Sequence, residues 1–125
     1  MRILLVDIET APNLAFVWGF YKQNVAANQV EESSYILCWA AKWLGEKQVH
    51  TGTLWHEGHD RMLKAAHKLL DEADVVVHYN GRKFDIPVLN KEFIKARLAP
   101  PAPYKQVDLM QECKRTLRFE SNKLD

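Results

Sequence analysis

The sequence predicts an α/β domain built on a mixed sheet, and three observations carry that prediction. Two short aliphatic runs, in "RILLVDI" and "ADVVVH", lack the polar alternation of a half-solvated strand. A pair of segments rich in aromatic and β-branched residues, "SYILCWAAKWLG" and "KQVHTGTLWH", reads as an antiparallel hairpin. Between and after them, apolar residues recur at helical spacing.

Taken in order, residues 2–8 form a strand expected to be buried on both faces. "TAPNLAFVWGF" follows, a proline break and then aromatics that suit an irregular segment packed over the sheet. The hairpin strands are joined by "GEK", which reads as a tight connection. Residues 60–73 place Met62, Ala66, Leu69, Leu70 and Ala73 on one helical face, with Asp60 as the cap. Residues 73–78 are a second buried strand. Residues 86–98 form a helix with Pro87 in its first turn and Leu89, Phe93 and Ile94 facing inward. After the rigid "LAPPAPY" loop come an extended piece near Val107 and a helix over 109–116. "FESNKLD" reads as a further helix start, with Ser121 as cap.

Composition narrows the class without naming a function. A chain of 125 residues is one domain at most and can bury a core. The 47% apolar and 26% charged shares are ordinary for a globular protein. A formal charge of +1 leaves any nucleic-acid contact to a local patch. Cys38 and Cys113 suit small core residues in a reducing compartment, not a disulfide framework. Neither a membrane-spanning apolar run nor a signal peptide is evident, so a soluble cytoplasmic protein with no membrane partner is expected.

The chemistry lies in the acids. Side chains alternate along a strand, so Asp7 and Glu9 share a face, with Cα atoms about 6.5 Å apart. Such a pair can converge on two divalent ions about 3.5–4 Å apart. Without a cation the two acids repel and raise one another's pKa. The alternative is a strand end that has reached water. The same design recurs in "VVVHYNGRKFDIPVL": a strand, a polar loop holding Asn80 and Gly81, then Phe84, Asp85 and a helix. Asp85 also fits a helix cap, and Asn80-Gly81 a plain turn. Both clusters fall at the carboxyl edge of strands, where open α/β sheets bind ligands.

"VDIET" is similar to the first motif (D-x-E-T) of the DEDD, or DnaQ-like, 3′–5′ exonucleases of the RNase H-like fold. "YNGRKFD" resembles their second motif, and "VDL" followed by "SNKLD" looks like the exonuclease domain of family B DNA polymerases or a stand-alone phage or bacterial relative. The resemblance covers residues 1–125 and implies an RNase H-like three-layer exonuclease domain. It implies that Asp7, Glu9 and Asp85 are catalytic metal ligands, with Asp7 bridging two Mg²⁺ or Mn²⁺ ions. Thr10 and the backbone at Ala11 would hold the 3′-terminal nucleotide. Asn80 and Phe84 would contact the single strand. The partner would be a single-stranded nucleic-acid 3′ end, DNA by preference, the product a nucleoside monophosphate, and a polymerase or repair partner is left open.

The family's third motif, Y-x-x-x-D or H-x-x-x-x-D, is missing after Asp85. Tyr104 and Asp108 match by letters, but they occupy the place of the "VDL" segment, and Asp125 fits neither form. The expectation is a domain truncated before its C-terminal helices and third motif. Ala11-Pro12 also departs from the Thr-Gly often found after D-x-E-T. "LWHEGHD" does not have the H-E-x-x-H spacing and reads as a loop. His67 and His78 read as packing or surface residues. Trp39, Trp43 and Trp55 read as core, and Lys114, Arg115 and Arg118 as a solvated face. Two competing functions are a catalytically incomplete nucleic-acid-binding fragment and a haloacid-dehalogenase-like phosphatase, whose D-x-D-x-T loop "VDIET" approximates.

Overall fold

Why the first aliphatic run ends up central is visible in its pairing. The structure, a computed structural model, describes residues 1–124. In chain order its strands and helices begin with β1 (Ile3–Thr10), β2 (Leu14–Ala15), β3 (Val30–Glu32), β4 (Ile36–Trp43) and β5 (His50–Thr53). They continue with α1 (Leu54–Glu57), α2 (His59–Asp71), β6 (Val75–His78), α3 (Asp85–Lys95), β7 (Lys105–Asp108) and α4 (Leu109–Thr116). One five-stranded sheet runs β5-β4-β1-β6-β7, and β2 and β3 form a separate ribbon. β1 is antiparallel to β4 and parallel to β6, and β6 is parallel to β7. The mixed sheet is the expected α/β arrangement of the RNase H-like fold.

The core lies on one face. Leu4, Val6 and Ile8 alternate inward from β1 and meet Met62, Leu63, Ala66 and Leu70 of α2 and Ile86, Leu89 and Phe93 of α3. Each such fully buried side chain stabilises the fold by about 1.5–3 kcal/mol. Ile36, Trp39, Ala41 and Trp43 extend the core across β4. The Trp39 indole N–H donates to the Met62 carbonyl at 2.9 Å, which fixes α2 against the sheet. Gly52 lies under that ring, and a Cβ there would come within 2.3 Å of Trp39 Nε1.

Several expectations are corrected. β1 is buried on one face only: Leu5, Asp7 and Glu9 are exposed, because α2 and α3 both pack on the opposite side. Among the described residues the third layer is therefore thin; Leu109 and Leu124 border a 270 Å³ groove over Leu5, Ala40 and Val77. The hairpin between β4 and β5 forms, but residues 44–49 make a longer connection than "GEK", with Gly45 at φ 88°. The aromatics of "AFVWGFY" are not packed over the sheet; they stand in solvent beyond the β2–β3 ribbon. Trp39 and Trp43 are core, but Trp55 is exposed on the short helix α1. α2 starts one residue before Asp60, and Gly58 at φ 75° is its cap position. In α3, Ile94 faces water while Glu92 is buried against His59, Nε2 to Oε2 2.9 Å. Residues 117–124 form no helix, and Asp125, weighed above as a third-motif acid, lies outside the described residues.

Candidate active site

Three parallel strands end at the same edge of the sheet. Leu5 pairs with Val77 and Val77 with Val107, and His78 pairs with Asp108. Past that level β1 alone continues, held on its other side by β4, and it lifts Asp7 and Glu9 onto the open face. A register shift between Glu9 and Thr10, opposite Cys38 and Ile36, marks a bulge that re-aims the strand where the acids end.

The second cluster is built by a tight loop. Asn80 takes φ 59°, a left-handed conformation that Asn tolerates better than most residues. Its carbonyl accepts from the N–H groups of Lys83 and Phe84, and its own N–H donates to Asp108 Oδ1 at 2.9 Å. Gly81 packs against His78, where a Cβ would fall 2.4 Å from the ring carbon Cγ. The Gly81 N–H donates to His78 Nδ1 at 3.1 Å, so Nδ1 is bare and Nε2 carries the hydrogen shared with Gln106 Oε1. His78 Nδ1 also approaches Asp108 Oδ2 at 3.8 Å.

Asp85 is not a cap. It is the first residue of α3, Phe84 holds the cap position, and no side chain accepts from the helix there. The Asp85 carboxyl is 3% exposed, and its Oδ2 has no hydrogen-bond partner. Burial, then the charges of Asp7, Glu9 and Asp108, push its pKa up to about 7. Asp7 and Glu9 are therefore near enough for their charges to act on Asp85. The structure thus gathers the three acids singled out in the sequence around one region.

Asp108 is the residue that sequence reasoning set aside. It is buried at the end of β7, caps α4 by accepting from the Met110 N–H at 3.1 Å, and acts on Asp85. Burial pushes its carboxyl up, but the backbone N–H of Asn80, the neighbouring His78 ring and further backbone donors outweigh that and hold it below the usual range. Its partner in the letter match, Tyr104, sits at the start of that strand's approach, where burial raises the phenol. The available signal was positional: an acid ending the third parallel strand and opening a helix.

The remaining predicted residues fall on the rim. Thr10 is half-buried at the end of β1. Ala11 is buried; its N–H donates to Tyr35 and its carbonyl accepts from Ser34 Oγ. Phe84 is 44% exposed beside Asp85, and Asn80 Oδ1 is a buried acceptor with no partner. The "LWHEGHD" histidines gather no metal site: His59 is spent on Glu92.

A carboxylate-only donor set suits a hard divalent cation such as Mg²⁺ or Mn²⁺. The partnerless Asp85 Oδ2, buried next to two exposed carboxylates, is the observation that fits such an ion. Among the described residues, no three His, Cys, Asp or Glu side chains yet converge to coordinating distance. No helix among them is long and apolar enough to cross a membrane.

A family model described as the RNase H superfamily matches residues 4–125. Among solved structures, the chain is similar to the family B DNA polymerase from the hyperthermophilic archaeon Pyrobaculum calidifontis, with a TM-score of 0.58 and 16% identity. That similarity covers 86% of this chain and 15% of the polymerase, and at this identity it shows the fold. No curated protein matches.

Proposed function

The chain belongs to the RNase H superfamily, and from that premise we propose that it is a metal-dependent 3′–5′ exonuclease domain acting on single-stranded nucleic-acid ends, DNA by preference. One observation carries the reading: a buried carboxyl with a free oxygen, Asp85, held against the charges of Asp7 and Glu9 at the carboxyl edge of the sheet.

Asp7, Glu9 and Asp85 would hold the divalent ions, with Asp7 the shared ligand. Bound there, two such ions would supply an activated water and stabilise the departing 3′ oxygen. The protein's own part is placement. β1 is anchored between β4 and β6 up to Leu5 and stays paired to β4 at Asp7 and Glu9, so the two acids are delivered from a held strand. α3 delivers Asp85 from a helix locked into the core by Leu89 and Phe93. Asp108 acts behind Asp85, fixing the Asn80 loop that sets the start of α3. Thr10 and Ala11 would receive the terminal nucleotide, Ala11 as a small wall because its backbone groups are already engaged. Phe84, 44% exposed, would stack against a base, and Asn80 would shape the loop beside it.

The test is release of nucleoside monophosphates from a 3′-labelled single strand in Mn²⁺. Asp7→Ala or Asp85→Ala should abolish release, and release that survives both substitutions would sink the proposal. A second reading, nucleic-acid binding without turnover, is favoured by the acids' lack of convergence. Strand binding with no nucleotide release in Mg²⁺ or Mn²⁺ is its signature.

A further inference from the structure

The segment that leaves the site end of β1 holds four aromatic rings in water. Phe16, Trp18, Phe20 and Tyr21 are 63%, 85%, 97% and 87% exposed. Folded chains seldom leave large apolar groups clustered in solvent unless something lies against them.

The backbone beneath these rings is tied down. The β2–β3 ribbon pairs Leu14 with Glu32 and Ala15 with Val30. Beyond it, the Phe16 N–H donates to the Gln29 carbonyl at 2.8 Å, and Gln29 Nε2 returns a bond to the Phe16 carbonyl at 3.0 Å. Gln29 Oε1 also accepts from the Ala26 N–H at 2.8 Å. A single glutamine therefore ties Phe16 to Ala26 across the ribbon, and Trp18, Phe20 and Tyr21 stand on the loop between them.

The base of the ribbon is fastened to the elements that carry the acids. Ala11, just past Thr10, is bonded to Tyr35 and Ser34, and Ser34 N–H donates to Asn13 Oδ1 at 2.7 Å. Lys91 Nζ of α3 donates to the Ser34 carbonyl at 2.8 Å. Asn13 is four residues from Glu9, so the ribbon springs from within about 14 Å of the acids. Charge narrows the occupant. At the tip, residues 14–29 contain no Asp or Glu, and their single charge is Lys22, followed by the amides Gln23 and Asn24; the exposed Glu31 and Glu32 of β3 stand at the ribbon's base, where Glu32 pairs with Leu14. A surface of flat rings, amides and one cation matches a ligand with π-faces and a polyanionic backbone.

We propose that this ribbon tip is a stacking platform for unpaired bases of the single strand whose 3′ end lies at Asp7, Glu9 and Asp85. The inference rests on the function proposed above and adds to it the track by which the strand upstream of its end is held.

The test is anisotropy of a 5′-labelled oligothymidylate in EDTA, which reads binding without turnover. Trp18→Ala/Phe20→Ala should bind about ten- to a hundredfold more weakly than the unsubstituted chain while melting at the same temperature. Phe20→Leu, which keeps apolar area but loses the ring, should weaken binding in the same direction. Unchanged affinity in both variants overturns the proposal, as does absence of binding by the unsubstituted chain. Sedimentation showing a dimer that the double variant dissociates, with oligothymidylate affinity unchanged, also overturns it, because the rings then seat a second copy. Ring-dependent binding without nucleotide release in Mn²⁺ would remove the exonuclease reading and leave the platform. Nucleotide release with ring-independent binding would do the reverse.

Discussion

Replacing Asp85 by Asn should stabilise the metal-free protein, and the size of the gain should depend on pH. The folded carboxyl titrates at about 7 against an ordinary 3.8. Below 3.8 folded and unfolded chains both hold the proton, and the group contributes nothing. Between 3.8 and about 7 the unfolded chain ionises while the folded one does not, so folding grows more costly as pH rises. Above about 7 the penalty is complete. A difference of about three pKa units at about 1.4 kcal/mol each sets a ceiling of about 4 kcal/mol. Water around exposed Asp7 and Glu9 screens part of this, which leaves about 2 kcal/mol. Asp85→Asn keeps the shape and cannot ionise. In urea unfolding with EDTA, the variant should match the parent at pH 4 and exceed it by about 2 kcal/mol at pH 8. The Asp108 contribution, lost on acidification, is common to both proteins and cancels. Mn²⁺ at a hundredfold excess over its dissociation constant should then raise the parent's stability by about 2.7 kcal/mol and the variant's much less. Unfolding free energies that run parallel from pH 4 to 8 would refute the reasoning, since they would mean that neither burial nor like charge raises the Asp85 carboxyl.

Three further outcomes are expected. Gly81→Ala should cost about 1–3 kcal/mol by forcing a Cβ into the His78 ring, an effect that urea midpoints should show to be relieved in a His78→Ala background. Phe93→Ala should cost about 3–5 kcal/mol, whereas neighbouring Ile94→Ala should stay within about 0.5 kcal/mol by the same measurement. His59→Ala leaves Glu92 buried with only Lys91 at 3.8 Å, and should cost about 1–2 kcal/mol at neutral pH; Glu92→Leu in the same background should recover much of it in thermal melts.

What could be read in advance was whatever depends on near neighbours in the chain. The two-residue spacing of Asp7 and Glu9 placed them on one face, and Pro87 marked the first turn of α3. The order of strands and helices followed from local periodicity in the same way. Apart from the shifted ends of a few elements, the errors concern partners far off in sequence. Glu92 is buried because His59 reaches it from another helix, and no local pattern could prefer a carboxylate to the adjacent Ile94. β1 seemed doubly covered because its aliphatic run is continuous, but coverage is a property of which helices land on each face. The competing reading of Asp85 as a cap falls away because the residue lies inside the helix, after the Phe84 cap position. Asp108 resembled a motif by letters, yet its bonds to the Asn80 loop and α4 gave it a supporting part that spacing alone could not convey.

The central place of β1 also has a bearing on how the chain avoids trouble while folding. "ILLVDIET" is made well before its parallel neighbour: the bond from Arg2 N–H to Asp74 that opens this pairing spans 72 residues. Until then a strand of strong aliphatic character waits with unpaired edges, the situation that favours aggregation. Asp7 and Glu9 interrupt that run on one face, and like charges on neighbouring chains would repel any copy trying to add in register. The same pair of carboxylates proposed to bind metal in the finished fold would earlier act as a gatekeeper, guarding an unfinished molecule from its own kind.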